Sequence, residues 1–118
     1  MAYVDGFLIA VPRNKMKAYE KMARQGKKMW MELGALDYKE CVADDIEAKW
    51  GSTPFATIMK LKPGETVVFS YILYKSRAHR DRVNKKIMEG MTEMGQPPDM
   101  PFAIKRMTFG GFKVIVSS

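Results

Sequence analysis

Three polar side chains fall on the apolar side of a helix predicted in the second half of the chain. The helix should run from Ser76 to about Met94, with an apolar arc made of Val83, Ile87, Met91 and Met94. His79, Arg80 and Asn84 fall inside the same arc, within the first two turns. An imidazole can transfer protons near neutral pH, and a guanidinium can pair with an anion. This pattern indicates either a buried polar network or a binding site.

A carboxylate and an indole are predicted to join them. Asp5 lies in an otherwise apolar strand, Tyr3–Val11, and an unpaired buried charge costs roughly several kcal/mol. Trp30 is the largest apolar side chain of an earlier helix. An acid, an imidazole, a guanidinium and an indole in one cleft predict a pocket for a small polar or anionic molecule. The candidate ligand-binding residues are therefore Asp5, Trp30, His79, Arg80 and Asn84.

The same residues also fit an interpretation without a ligand. Asp5 and Arg80 would then form a buried salt bridge, with His79 satisfied beside it. The sequence leaves open which of the two holds and whether any reaction is catalysed. A single His at a helix start supports haem ligation poorly, so no cofactor is predicted. The spacing of Asp44, Asp45 and Glu47 matches no calcium loop, and no metal site is predicted.

The basic composition suggests a different function. Lys and Arg outnumber Asp and Glu by 20 to 13, which gives a net charge of +7. An RNA backbone could bind the outer face of the first helix, at Lys17, Lys21, Arg24, Lys27 and Lys28. However, the basic residues alternate with acids, and the chain has no aromatic RNP motif or GXXG loop. RNA binding is therefore the less favoured alternative.

Six main elements must position these residues. The strands are predicted at Tyr3–Val11, Leu36–Ile46, Val67–Tyr74 and Ile104–Val116. The first helix should run from a cap at Asn14 to Leu33, with Gly34 as its stop, and the second should begin at a Ser76 cap. Paired glycines at Gly110-Gly111 indicate a bulge in the last strand, with close approach of another backbone or a ligand as the alternative.

The connections are less regular. Residues 47–54 form a loop, and Phe55–Leu61 fits either a short strand or a turn or two of helix. Lys62–Glu65 has Pro and Gly where a type II turn requires them. Gln96–Pro101 is a proline-rich connector, and Gly95 and Pro97-Pro98 end the second helix.

The order of elements indicates one α+β domain over residues 1–118. Two interleaved right-handed βαβ units give a ferredoxin-like βαββαβ fold, with a four-stranded antiparallel sheet and both helices on one face. Val67–Tyr74 is apolar on both sides, which suits a central strand. The topology brings the five candidate residues to one end of the sheet. It also leaves the other face bare, and a second copy packed sheet against sheet would cover that face.

Composition also bounds the compartment. An apolar content of 47% with 28% charged residues is ordinary for a soluble domain, and no apolar run is long enough to span a membrane. One cysteine excludes an internal disulfide and suits a reducing compartment, so we expect a cytoplasmic protein. Cys41 is predicted to be a buried, inert thiol.

Several segments together resemble one bacterial family. They are YVDGF at Tyr3–Phe7, ECVADD at Glu40–Asp45, ETVVFSYILYKSRAHRDRVN at Glu65–Asn84, MPF at Met100–Phe102, and KRM with GGF at Lys105–Phe112. The chain resembles the YbaA-like family, a domain of unknown function in the dimeric α/β-barrel superfamily. The resemblance implies a ferredoxin-like protomer, a homodimer and a bacterial cytoplasm. It carries no catalytic motif onto these residues, although enzymes and ligand-binding regulators of the superfamily use the helix–sheet cleft. Relatives tend to have Asp-Gly where Ala103-Ile104 stands here.

Overall fold

The computed structural model describes residues 1–94 and 100–118, without the side chains of residues 92–94. The strands are β1 (Tyr3–Pro12), β2 (Asp37–Val42), β3 (Glu65–Tyr74) and β4 (Met107–Lys113). The helices are α1 (Met16–Glu32), α2 (Phe55–Ile58) and α3 (Arg77–Met94), and short 3-10 turns precede α1 and β4. No helix in the described residues is long and apolar enough to cross a membrane.

The four strands form one antiparallel sheet in the order β2-β3-β1-β4. The two long apolar strands, β1 and β3, are central, as their two-sided apolarity predicts. The α+β, ferredoxin-like arrangement predicted from the order of elements is confirmed.

The helix side of the sheet carries two packed clusters. Near the end of β1, Ile9 and Val11 pack with Tyr19 and Ala23 of α1. Near its start, Ile72 and Tyr74 of β3 pack with α3, and Trp30 lies against them; the buried α3 residues there are Val83 and Ile87. The apolar side of α1, with Tyr19 and Ala23, faces the sheet.

The two main helices begin differently. Ser76 caps α3, because its hydroxyl accepts the His79 backbone N–H at 3.1 Å. Asn14 does not cap α1: it lies in a 3-10 turn, Arg13–Lys15, and the α-helix starts directly after this turn, at Met16, without a side-chain cap. That part of the prediction was wrong because the chain leaves β1 through a tighter turn.

The end of α1 follows the prediction. Gly34 has a φ of 106°, and the Ala35 N–H bonds back to the Trp30 carbonyl at 3.0 Å. The predicted stops of α3, Gly95 and Pro97-Pro98, lie outside the described residues.

Two strands are shorter than predicted. β2 ends at Val42 because the following segment folds over the sheet, and residues 104–106 form a 3-10 turn before β4. The predicted bulge in β4 was also wrong. The register with β1 continues without a break, Gly6 opposite Gly110 and Asp5 opposite Gly111.

The other face of the sheet is not entirely bare, contrary to expectation. The segment between β2 and β3, which includes the short helix α2, packs Met59 against Ala10 and Val67 over one end of that face. The helical alternative for Phe55–Leu61 is the one observed. The rest of the face stays open, with Phe69 and Phe112 48% and 60% exposed.

Cys41 is exposed rather than buried. It lies on the edge strand β2, on the face away from the helices, where the segment that covers the far end does not reach. The predicted inert core thiol was therefore wrong in its position.

Candidate functional site

Asp5 is the centre of a buried polar cluster between the sheet and α3. Its side chain is on the helix side of β1 and only 1% exposed. The Asn84 amide donates to Asp5 Oδ2 at 3.2 Å, and Arg80 Nη1 lies 3.6 Å from Asp5 Oδ1. The carboxylate thus has a hydrogen bond at Oδ2 and a charged neighbour at Oδ1.

Asn84 links this carboxylate to two aromatic residues. The Trp30 indole N–H donates to Asn84 Oδ1 at 3.1 Å, and the Tyr74 hydroxyl donates to the same oxygen at 3.3 Å. Burial, with the negative charge of Asp5, raises the pKa of Tyr74, so its hydroxyl remains a neutral donor. Asn84 therefore uses its donor and its acceptor at once.

Arg80 closes the cluster toward solvent. Its guanidinium lies over the Tyr3 ring, 5.0 Å from the centroid, and donates to the Tyr3 hydroxyl at 3.2 Å. Its Nε is 3.1 Å from a carboxylate oxygen of Asp81. Its side chain is 18% exposed, so solvent reaches part of it.

Two polar atoms of the cluster lack a good hydrogen bond. Asp5 Oδ1 and Arg80 Nε are buried and have no hydrogen-bond partner within the described part of the chain. The ion pairs beside them are too long or too poorly aligned to count as hydrogen bonds. Buried polar atoms usually have hydrogen-bond partners, so these two atoms mark the Asp5–Arg80 contact as an unusual feature of the cluster.

His79 lies outside this cluster, although the sequence placed it inside. Its Nδ1 accepts the Lys75 backbone N–H at 3.0 Å, and its ring packs edge-on against Tyr74. Burial, with the charges of Lys75 and Arg82, lowers the pKa of His79 and keeps the imidazole neutral. This side chain lines a concavity with Leu33, and its Nε2 would lie 3.3 Å from a Cβ at Gly34, near the end of α1.

An aromatic shelf lies next to the cluster, on the helix side of β4. Phe7 and Phe109, opposite each other across β1 and β4, stack with ring centroids 5.6 Å apart and an angle of 16°. Phe109 is 57% exposed because neither main helix covers this edge strand. Phe7 is two residues from Asp5 on the same face, so the shelf adjoins the cluster.

Tyr3 and Gly111 complete the boundary between the shelf and the cluster. A Cβ at Gly111 would lie 2.6 Å from the Tyr3 ring carbon Cε2, so the ring occupies the space above this glycine. Tyr3 and Tyr74 were not among the candidate binding residues predicted from the sequence. The glycine pair was the available signal, because a strand glycine often marks a close approach.

Two concavities lie away from the cluster. One, of about 300 Å³, is lined by His79, Arg82 and neighbouring residues of α3 with Leu33. The other, of about 350 Å³, lies where β1 ends. Neither is lined by Asp5, Trp30 or Asn84, and the Asp5 side chain at the centre of the predicted cleft is buried.

The residues of the RNA-binding alternative lie on the solvent side of α1. All five side chains, Lys17, Lys21, Arg24, Lys27 and Lys28, are exposed. Arg24 forms a salt bridge with Glu20 at 3.2 Å. Exposure and charge are the properties that this face offers to a phosphate backbone.

The comparisons with known proteins identify the family. The family model described as "Protein of unknown function (DUF1428)" matches residues 2–104. The chain belongs to the DUF1428 family. It is 44% identical over 119 residues to the uncharacterized protein YbaA of Escherichia coli strain K12, covering 98% of each chain, and matches YbaA of Shigella flexneri to the same extent. The resemblance stated from the sequence is confirmed.

One solved structure shows the fold that DUF1428 shares with other proteins. A dimeric ferredoxin-like protein from an uncultured marine organism matches with a TM-score of 0.56 and 16% identity, over 100% of both chains. At this identity the likeness concerns the fold alone. Ligand binding by the residues of the polar cluster therefore stays a prediction from the sequence.

Proposed function

We propose that this DUF1428 protein is a homodimer that binds a small polar or anionic molecule beside Arg80, on the helix side of its sheet. The Asp5–Arg80 contact is the main support. It is a buried ion pair in which one carboxylate oxygen and one guanidinium N–H lack hydrogen bonds within the described residues. A ligand oxygen or N–H could supply the missing partner after a small shift of Arg80.

The shelf gives the ligand an apolar surface. A flat or apolar body would stack on Phe109, whose ring is more than half exposed, and its polar end would reach Arg80. Binding sites commonly combine an apolar wall with a few fixed polar groups. Arg80 and Asn84 would be the polar groups of the binding site. Trp30 would hold Asn84 in place through its indole N–H.

The open face of the sheet supports the homodimer. Phe69 and Phe112 are exposed on the face away from the helices. Such a patch on one side of a flat two-layer molecule favours burial against a second copy. The related fold from the marine organism is described as dimeric.

Trp30 provides a direct test of binding. The chain has two tryptophans, and Trp50 is almost fully exposed, so Trp50→Phe leaves Trp30 as a fluorescent reporter bonded to Asn84. We would titrate this variant with aromatic and aliphatic carboxylates and with their neutral amides. At least one compound should change the Trp30 emission saturably. Adding Arg80→Gln should weaken that binding about tenfold or more, since a charge-assisted hydrogen bond is lost.

The matched control is Arg77→Gln, one turn before and largely exposed. It should leave the affinity unchanged. If no compound alters the Trp30 emission, or if Arg80→Gln binds as well as its parent, the proposed site is wrong.

RNA binding through α1 is the alternative function. Its support is the exposed basic face, and gel shifts over a salt series test it, because phosphate contacts weaken steeply with salt. RNA binding that is strong at low salt, weak at high salt and lost in a variant with the α1 lysines neutralised would favour RNA over the small molecule as the ligand.

A further inference from the structure

The concavity where β1 ends is a pocket separate from the polar cluster. It lies about 20 Å along the strand from Asp5. Its volume is about 350 Å³, within the range of small-molecule sites. Its wall combines the end of β1, the turn before β3 and the segment that precedes β4. The buried residues Ala10, Pro101 and Phe102 form an apolar floor.

The rim of this pocket is strongly cationic. Four cationic side chains, Lys15, Lys62, Lys105 and Arg106, line it with one carboxylate, Glu65. The three lysines are exposed, and none of their ammonium groups forms a salt bridge within residues 1–94 and 100–118. They come from three separate segments of the chain, so the fold gathers them around one concavity.

The single carboxylate is already neutralised. Arg106 Nη2 donates to Glu65 Oε1 at 2.6 Å, and the Lys62 backbone N–H donates to the same oxygen at 2.8 Å. The backbone bond from Lys62, followed by the contact with Arg106, lowers the pKa of Glu65, which stays ionised. Glu65 therefore pairs most closely with Arg106, and no salt bridge among the described residues neutralises the three lysines.

The pocket is also held in shape. Arg106 donates to the Met59 carbonyl at 3.0 Å and the Lys60 carbonyl at 3.1 Å, which ties it to the segment after α2. The turn at Lys62 is closed by a bond from the Glu65 N–H to the Lys62 carbonyl at 3.0 Å, with Gly64 at a φ of 82°. This is the predicted type II turn, and it fixes the backbone beneath Lys62.

We infer that this pocket binds a small organic oxyanion with at least two negative charges, through Lys15, Lys62 and Lys105. Three ammonium groups that form no salt bridge among the described residues surround an apolar floor, and they would attract a compact multiply charged anion with an apolar part. The limited volume favours a small molecule over a nucleic acid, which would need an extended basic track. The site shares no residue with the cluster at Arg80, so either can fail without the other.

Isothermal titration calorimetry at physiological ionic strength tests this inference by measuring the affinity of the pocket for small anions. The probes are phenyl phosphate, phthalate as the dicarboxylate of similar size, and benzoate as a singly charged control. The dianions should bind saturably and benzoate at least tenfold more weakly. The stronger of phenyl phosphate and phthalate identifies the ligand as a phosphate ester or a dicarboxylate. In a parallel titration followed by NMR, the backbone amide resonances of Lys62 and Gly64 should shift.

Two variants of equal charge decide whether the pocket is responsible. Lys15→Gln/Lys62→Gln/Lys105→Gln should weaken the dianion about tenfold or more, since ion-pair contacts are lost. Lys17→Gln/Lys21→Gln/Lys28→Gln removes the same charge from α1 and should change the affinity less than twofold. All six side chains are exposed, so both variants should fold.

Four results would overturn the inference: no saturable binding of either dianion, benzoate binding as tightly as the dianions, equal weakening in both variants, or shifts confined to residues away from Lys62 and Gly64. Tighter binding of a short single-stranded RNA, lost in the pocket variant, would also overturn it, since the occupant would then be a nucleic acid.

Discussion

At the scale of single residues, Asn84 connects three elements of the fold to α3. It donates to Asp5 and accepts from Trp30 and Tyr74, so one amide satisfies groups from β1, α1 and β3. Its position in the apolar arc of a helix was visible in the sequence. Its partners were not, because they come from strands and helices far apart in the chain.

Replacing Asn84 should therefore be costly. Asn84→Ala leaves the Trp30 N–H and one Asp5 oxygen without partners, and we expect unfolding free energy to fall by about 1–3 kcal/mol. Urea denaturation measures this change. Lys85→Ala, the exposed neighbour, is the control and should change stability by less than about 0.5 kcal/mol. Equal effects of the two substitutions would contradict the role of the amide.

His79 predicts a specific pH dependence. Its pKa is lowered in the folded chain by burial and by the nearby charges of Lys75 and Arg82, whereas the unfolded side chain titrates near 6.5. As the pH falls through that value, the unfolded chain binds the proton first, so the stability contributed by neutral His79 is present above it and lost below. The melting temperature should drop between about pH 7.5 and pH 5.5, and drop less in His79→Asn. Parallel curves for the two proteins would contradict this.

At the scale of elements, β4 carries Gly111 because the Tyr3 ring occupies the space of a side chain there. The register with β1 is continuous, so Gly111 is needed for the space that the Tyr3 ring occupies. The ring in turn supports Arg80. A glycine pair in a sequence cannot tell a bulge from a close approach, because both need a missing side chain.

The two glycines should therefore differ. Gly111→Ala would place a Cβ against the Tyr3 ring and should destabilise the protein by about 1–3 kcal/mol. Gly110→Ala is the matched control: its Cβ would lie 3.8 Å from the nearest atom, in Phe112, an ordinary contact. Thermal unfolding of both variants, with Tyr3→Leu added to Gly111→Ala to relieve the clash, tests this. Similar stabilities of the two alanine variants would show that the ring gives way freely.

At the scale of the whole molecule, the open face of the sheet is the dominant feature. The molecule measures 40 × 38 × 19 Å, and its radius of gyration of 15.2 Å exceeds the roughly 13.5 Å expected for a compact chain of this length. Such a flat shape follows from two layers with one face partly uncovered. The segment that includes α2 covers one end of that face, which the sequence did not indicate.

The proposed homodimer predicts the mass in solution. Light scattering after gel filtration should give about twice the 13.5 kDa of one chain at micromolar concentration. Phe69→Glu should shift the protein toward monomer, because a charge would be buried in the interface. Met31→Glu, an exposed apolar position on the outer side of α1, should leave the dimer intact. A monomeric parent protein, or dissociation of both variants alike, would contradict the dimer.

The sequence by itself determined the order of elements, the central strands, the end of α1, the Ser76 cap and the need of Asp5 for a partner. These follow from local periodicity, turn chemistry and the cost of a buried charge, which act over a few residues. Only the tertiary structure decided that His79 turns away from Asp5, that Tyr3 fills the space over Gly111, and that Lys15, Lys62 and Lys105 surround one pocket. Those outcomes depend on distances between segments far apart in the chain, and no pattern within a single segment contains them.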